Sequence, residues 1–82
     1  MKRLVYTPMG VCSERINFTI DAGRIVHVEF LGGCDGNLQG IASLVEGLEV
    51  GEAIRKLKGI DCMGKGTSCP DQLARALEKA QD

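Results

Sequence analysis

The first third of the chain shows the period-two alternation of apolar and polar residues that is typical of half-buried strands. Apolar residues alternate with polar ones over residues 16–20 and again over 26–30, and a short apolar run covers residues about 3–8. An Asp-Ala-Gly-Arg segment at 21–24 separates the second and third of these stretches, and Asp and Gly favour tight turns. The pattern predicts three strands, the last two joined as a hairpin.

The rest of the chain changes to a helical period. Apolar residues recur at i, i+3, i+4 and i+7 from Leu38, from Val50 and from Leu73. This spacing places one apolar stripe on each of three amphipathic helices. The predicted helices cover residues 37–46, 50–58 and 69–81.

Helix start and stop residues agree with these boundaries. Gly47 and Gly59 stand where helix-ending glycines belong. Ser68 and Asp71 form an S-x-x-D start signal, with Pro70 in the first helical turn. We therefore predict an α+β fold, in which a three-stranded antiparallel sheet is followed by three helices packed on one face (β-β-β-α-α-α).

Length and composition limit the classes of protein to consider. The chain has 82 residues, so we expect a single domain over 1–82, and its core is expected to be marginal because only three aromatic residues add bulk to it. A formal net charge of -1 without a basic cluster argues against direct nucleic-acid binding. No apolar run is long enough for a membrane segment or a signal peptide, which predicts a cytoplasmic protein without membrane contact.

Four cysteines are a high density for such a chain, and in a reducing compartment they favour metal binding or redox chemistry. Each predicted element reverses direction at a short connection, so Cys12, Cys34, Cys62 and Cys69 all fall in loops or at helix starts at one end of the fold. Cys34 and Cys69 precede or open helices, whose N-terminal partial charge favours thiolates. We predict a metal site for zinc or an iron-sulfur cluster, with these four thiols as ligands.

Other interpretations stay open. The spacing of the cysteines contains no C-x2-C, the local motif that would favour a metal site. The thiols could instead form a redox-active pair or could be inert. Near the cysteines, Glu14, Asp35, Lys65 and Asp71 are candidate groups around the ligands. His27 is predicted to lie on the surface. The glycine-rich segment matches no phosphate-binding loop, and one histidine gives no credible Ser/His/Asp arrangement, so no independent catalytic site is evident.

Three segments resemble the TSCPD domain family. The letters TSCPD stand at Thr67–Asp71, GGCDGNLQGI stands at Gly32–Ile41, and LKGIDC stands at Leu57–Cys62. The resemblance extends over nearly the whole chain, and these motifs are specific to the family.

The resemblance implies a function. The family is best known as a C-terminal module of adenosylcobalamin-dependent ribonucleotide reductases, and it also occurs as short stand-alone proteins, which this chain resembles. An 82-residue chain cannot hold the barrel that such a reductase needs. The resemblance therefore implies a module accessory to deoxyribonucleotide synthesis, with any ribonucleoside-diphosphate reductase activity in a partner or fused catalytic chain.

A more distant similarity is to the U-type iron-sulfur cluster assembly scaffolds. The order of elements is alike, and Cys12, Cys34 and Cys69 fall on the three ligand cysteines of that family. Glu14 replaces the family's aspartate, and Ser68 stands where a histidine is common. This similarity implies the alternative of a cluster scaffold or carrier whose partner is a cluster-assembly protein, whereas a fourth thiolate would favour a stable structural metal.

Overall fold

The chain folds as three strands followed by three helices, which confirms the predicted α+β order. A computed structural model describes residues 1–80. The elements are β1 (Lys2–Tyr6), β2 (Ser13–Asp21), β3 (Arg24–Gly32), α1 (Asp35–Val45), α2 (Val50–Leu57) and α3 (Cys69–Ala80).

The sheet is antiparallel with the order β1-β2-β3, so β2 is central. Alternate side chains of β1 and, from Ile16 onward, of β2 point to the helices, as the period-two pattern requires. In β3 the predicted alternation is wrong at Val26, because a register shift, opposite Thr19 and Ile20, turns Ile25 inward and leaves Val26 exposed. Two cross-strand rows supply most of the sheet's side of the core, and the paired Ile20 and Ile25 extend it toward the β2–β3 turn. The rows are Leu4, Phe18 and Val28, and next to them Tyr6, Ile16 and Phe30.

Two details of the strands differ from the sequence pattern or refine it. β1 ends at Tyr6 rather than near residue 8, because Pro8 has no amide hydrogen to continue the ladder, and Pro8 is buried instead. The β2–β3 hairpin turns at Ala22 and Gly23, which both have positive φ angles of 51° and 78°. That pair of angles is the geometry of the two-residue turn that matches the twist of a hairpin.

The helices lie close to their predicted positions. α1 begins at Asp35, two residues before the predicted start, and ends at Val45, while α2 ends one residue early at Leu57. Gly47 and Gly59 follow these two helices as predicted. α3 begins at residue 69 as predicted, and its predicted last residue, 81, lies outside the described residues.

The connection between α1 and α2 covers the start of the edge strand β3. Gly47 N donates to Ile25 O at 2.7 Å, and Ile25 N donates to Leu48 O at 2.9 Å. These bonds satisfy backbone groups that an open sheet edge would expose.

The core lies between one face of the sheet and the helices. Its fully buried side chains include Ile16 and Ile25 from the sheet and Leu73 and Leu77 from α3. Among residues 1–80, no helix has both the length and the apolar character needed to cross a membrane.

Candidate functional site

Two of the four cysteines lie side by side. Cys12 directly precedes β2, and Cys69 is the first residue of α3. The pair therefore lies where the sheet meets the last helix. Their sulfur atoms are 4.0 Å apart. Cys12 is exposed and Cys69 is buried, so one thiol faces solvent and the other lies against the core.

Ser13 lies beside the two thiols, and no motif in the sequence predicted its role there. Its side chain is buried, and its hydroxyl donates a hydrogen bond to Cys69 Sγ over 3.1 Å. Strict alternation from Ile16 would turn Glu14 inward, but the register of β2 shifts between Ser13 and Arg15. This bulge buries the serine and leaves the glutamate exposed.

The sequence did contain one signal for the bulge. Gly32 lies opposite Ser13 in the sheet, and a glycine inside a strand pattern often marks a bulge or a close approach. The Glu14 side chain lies against this glycine: a β-carbon there would be 3.2 Å from Glu14 Cγ.

Gly33 brings the chain leading to Cys34 against the thiol pair. A β-carbon at Gly33 would lie 3.3 Å from Cys12 Sγ and 2.9 Å from Leu38 Cδ1, and the residue has a φ of 81°. Both the approach and the backbone angle therefore require glycine here. Consecutive α-carbons are about 3.8 Å apart, so Cys34 Cα lies within about 9 Å of Cys12 Sγ.

Cys34 itself is exposed and precedes α1 as its N-cap residue, without a side-chain cap hydrogen bond. The next residue, Asp35, accepts a hydrogen bond from Gln39 Nε2 at 2.8 Å within the same helix. The backbone of Cys34 thus lies near the Cys12–Cys69 pair. The Asp35 carboxylate is hydrogen-bonded to Gln39 within α1.

Cys62 belongs to a separate turn between α2 and α3. Its amide donates to Thr67 O at 3.0 Å, and its carbonyl accepts from Lys65 N at 3.2 Å. The carboxylate of Asp61 accepts hydrogen bonds from the amides of Gly64 and Gly66, which closes the turn. Cys62 and Lys65 are both exposed on it.

The start of α3 is held by its own capping residues. Asp71 N donates to Ser68 Oγ at 3.1 Å, so the predicted S-x-x-D start signal is present as a cap. Gln72 Nε2 donates to Thr67 Oγ1 at 2.9 Å, and its Oε1 accepts from Met9 N at 3.1 Å. These bonds tie the loop before Cys12 to the helix that carries Cys69.

Asp71 is fully buried and links three parts of the chain. Its carboxylate accepts from Gly59 N, from the Thr67 hydroxyl and from Arg75 Nε, each at 2.7 Å. Burial opposes its charge and would raise its pKa, but the bonds from Thr67, Gly59 and Arg75 and the Arg75 charge hold that pKa below its ordinary value. The hydrogen bonds of Asp71 hold the first turn of α3 against the chain that follows α2.

The structure thus brings Cys12 and Cys69 together and leaves Cys34 and Cys62 outside that pair. Within residues 1–80, no three His, Cys, Asp or Glu side chains are grouped so that they could hold a metal ion. His27 lies on the surface and is 3.3 Å from a carboxylate oxygen of Glu46, away from the thiols. The site that the structure forms therefore consists of the thiols of Cys12 and Cys69 and the Ser13 hydroxyl, which donates a hydrogen bond to Cys69 Sγ.

The family comparison covers almost the whole chain. A family model described as the TSCPD domain matches residues 2–81. No curated protein and no solved structure is similar enough to the chain to match it. The signature letters at Thr67–Asp71 fall at the start of α3, where four of the five residues shape or cap the helix and the fifth, Cys69, carries the thiol.

Proposed function

Because the chain belongs to the TSCPD domain family, we propose that it works as a small cysteine-site module that binds zinc or an iron-sulfur cluster. The observation that supports this proposal is the 4.0 Å separation of the Cys12 and Cys69 sulfurs. A tetrahedral centre with Zn–S bonds of about 2.3 Å places its sulfurs about 3.8 Å apart. The pair therefore fits one edge of such a centre.

The remaining ligands would come from the two exposed cysteines. Cys34 is the third ligand in this proposal, because its α-carbon lies within about 9 Å of Cys12 Sγ, and its side chain must turn toward the pair. Cys62 is the fourth and optional ligand, since its turn is built on its own hydrogen bonds. Three exposed thiols and one buried thiol would place the metal at the surface, within reach of a partner.

The first test is metal analysis with an absorption spectrum of protein purified without oxygen. We expect bound zinc, or iron with a broad visible band. Cys12→Ser, Cys34→Ser and Cys69→Ser should abolish retention, whereas Cys62→Ser should weaken it in part. Neither metal in the wild-type protein would contradict the proposal. Loss in Cys62→Ser equal to that in Cys34→Ser would instead indicate a closed four-thiolate site.

A bound structural metal should also stabilise the fold. Ligand binding to the folded form alone adds to the free energy of unfolding, and the core of this chain is small. We expect a chelator to lower the melting temperature of the metal-loaded protein, with Cys12→Ser as the control that shows no further change. A chelator without effect on loaded protein would argue against a structural metal.

We extend the proposal to a role accessory to deoxyribonucleotide synthesis in the reducing cytoplasm, as a partner of a reductase catalytic chain. The support is membership of the TSCPD domain family, together with the association of that family with ribonucleotide reductases that the resemblance implies. The test adds the purified protein to the ribonucleotide reductase of the same organism and measures product formation. We expect a rate increase that Cys12→Ser loses. An unchanged rate would overturn this extension without affecting the metal proposal.

A further inference from the structure

The two paired thiols differ in how they meet solvent. Cys12 is exposed in the loop before β2, while Cys69 is only 7% exposed at the first turn of α3. Their sulfurs are 4.0 Å apart although the residues are far apart in sequence. An exposed thiol backed by a buried one is the arrangement that a two-step exchange with an external disulfide requires.

We propose that the metal-free protein carries out thiol–disulfide exchange, with Cys12 as the attacking thiol and Cys69 as the resolving thiol. This activity goes beyond metal binding, and it needs neither a metal nor the side chains of Cys34 and Cys62. Its substrate class is an accessible disulfide, either in a protein or in a small molecule.

The exchange takes place in two balanced steps. The Cys12 thiolate attacks one sulfur of the substrate disulfide, the substrate S–S bond breaks, and the released thiolate takes up a proton. Cys69 then gives up its proton and attacks Cys12 Sγ, which breaks the mixed disulfide and releases the second substrate thiol. The substrate gains two electrons and two protons, and the Cys12–Cys69 pair becomes a disulfide that a cellular dithiol reduces again.

The surroundings of the pair suit these assigned roles. The Ser13 hydroxyl, 3.1 Å from Cys69 Sγ, holds the buried sulfur in place beside Cys12. Closing a disulfide to about 2.05 Å requires the two sulfurs to approach by about 2 Å, and Cys12 has the exposed side chain of the two. Gly33, which has no β-carbon, leaves room for the Cys12 sulfur on the other side.

The other two cysteines provide matched controls. Cys34 and Cys62 are exposed like Cys12, so a reaction governed by exposure alone would modify all three. The geometry instead predicts that only Cys12 passes its adduct on to a second thiol.

The experiment treats the metal-free full chain with oxidised glutathione, blocks the remaining thiols by alkylation and maps the disulfides by mass spectrometry. We expect a Cys12–Cys69 disulfide in the wild type, in Cys34→Ser and in Cys62→Ser. Cys69→Ser should accumulate a glutathione adduct on Cys12, and Cys12→Ser should lose the intramolecular disulfide and the release of reduced glutathione that accompanies it.

Several results would overturn the assignment. A wild-type disulfide that involves Cys34 or Cys62, no disulfide at all, or unchanged glutathione release by Cys12→Ser would each do so. Because Cys12 is exposed, its serine variant keeps the test valid even where Cys69→Ser disturbs folding. Metal retention is measured separately on untreated protein, so failure of the metal proposal is distinguishable from failure of the exchange.

Discussion

Two aspartates, Asp71 and Asp61, both accept hydrogen bonds through their carboxylates, but Asp71 connects several elements and Asp61 orders a single turn. Asp71 accepts a hydrogen bond from Gly59 N, which follows α2, and others from Thr67 and Arg75. It has no exposed surface, so its carboxylate works where water does not compete. These bonds join α2, the following loop and α3.

Asp61 is exposed, and its carboxylate accepts from the amides of Gly64 and Gly66, three and five residues further along the chain. These bonds shape one turn and reach no other element. The Met63 side chain on that turn is 95% exposed. The turn that carries Cys62 is therefore ordered by itself, whereas the helix start that carries Cys69 is ordered by the rest of the molecule.

The segments that carry Cys69 and Cys62 are therefore held in place by different kinds of contact. The buried carboxylate of Asp71 bonds to distant residues and so fixes the position of Cys69 relative to the core. The exposed carboxylate of Asp61 bonds only within the turn that carries Cys62. We expect substitutions at the first aspartate to move the global stability and substitutions at the second to leave it nearly unchanged.

The largest effect is expected from Asp71→Asn, with Asp61→Asn as the matched control. The amide nitrogen cannot accept from Thr67 or Arg75 and is buried beside these donors, so the free energy of unfolding should fall by about 2–4 kcal/mol. Asp61→Asn should cost about 1 kcal/mol or less. Urea unfolding of both variants measures the difference, and equal losses of stability would contradict the distinct roles of the two carboxylates.

Acid should remove the contribution of Asp71 gradually. Its folded-state pKa is below the unfolded value, although burial alone would raise it, because Thr67, Gly59 and Arg75 favour the charged form. A depressed pKa gives stability that is present above the unfolded pKa of about 3.9 and is lost as the pH falls through the folded value.

The measurement is urea unfolding of the wild type and of Asp71→Asn at a series of pH values. We expect the stability difference to be constant from about pH 7 to about pH 5 and to shrink below about pH 4. A wild-type advantage over Asp71→Asn that persists unchanged in strong acid would contradict the assigned ionisation.

The smallest effect is expected from Cys62→Ser. The side chain is exposed on the local turn, so the free energy of unfolding of the metal-free protein should change by about 0.5 kcal/mol or less. Cys69→Ser should cost more, about 1 kcal/mol, since it puts a hydroxyl in a buried position beside Ser13. Thermal melts of the two metal-free variants, compared at one pH, rank them, and a reversed order would show that the turn carries structure not seen in its contacts.

The elements of the fold were predictable because their signals are local. Alternation over residues 16–20 and 26–30 and the helical spacing from Leu38, Val50 and Leu73 each need only a short window of sequence. Boundaries moved by one or two residues where a backbone effect intervened, as at Pro8 after β1.

The site was predictable only in part. Counting chain reversals predicted that all four cysteines lie at one end of the fold. The structure places Cys12 before β2, Cys34 before α1 and Cys69 at the start of α3. That count cannot say which thiols touch. The pairing of Cys12 with Cys69, with Cys34 outside the pair, depends on how α3 packs against the first loop, which Gln72 secures through Met9.

The order of strands and helices and the cap at Ser68 follow from local sequence, because each depends on neighbours a few residues away. The inward position of Ser13 in place of Glu14 depends instead on the folded sheet, since the bulge that shifts the register forms only when β2 pairs with Gly32 of β3. The same holds for the buried partners of Asp71. A buried hydrogen bond between distant residues leaves no period in the sequence, because its strength comes from the exclusion of water after the chain has packed.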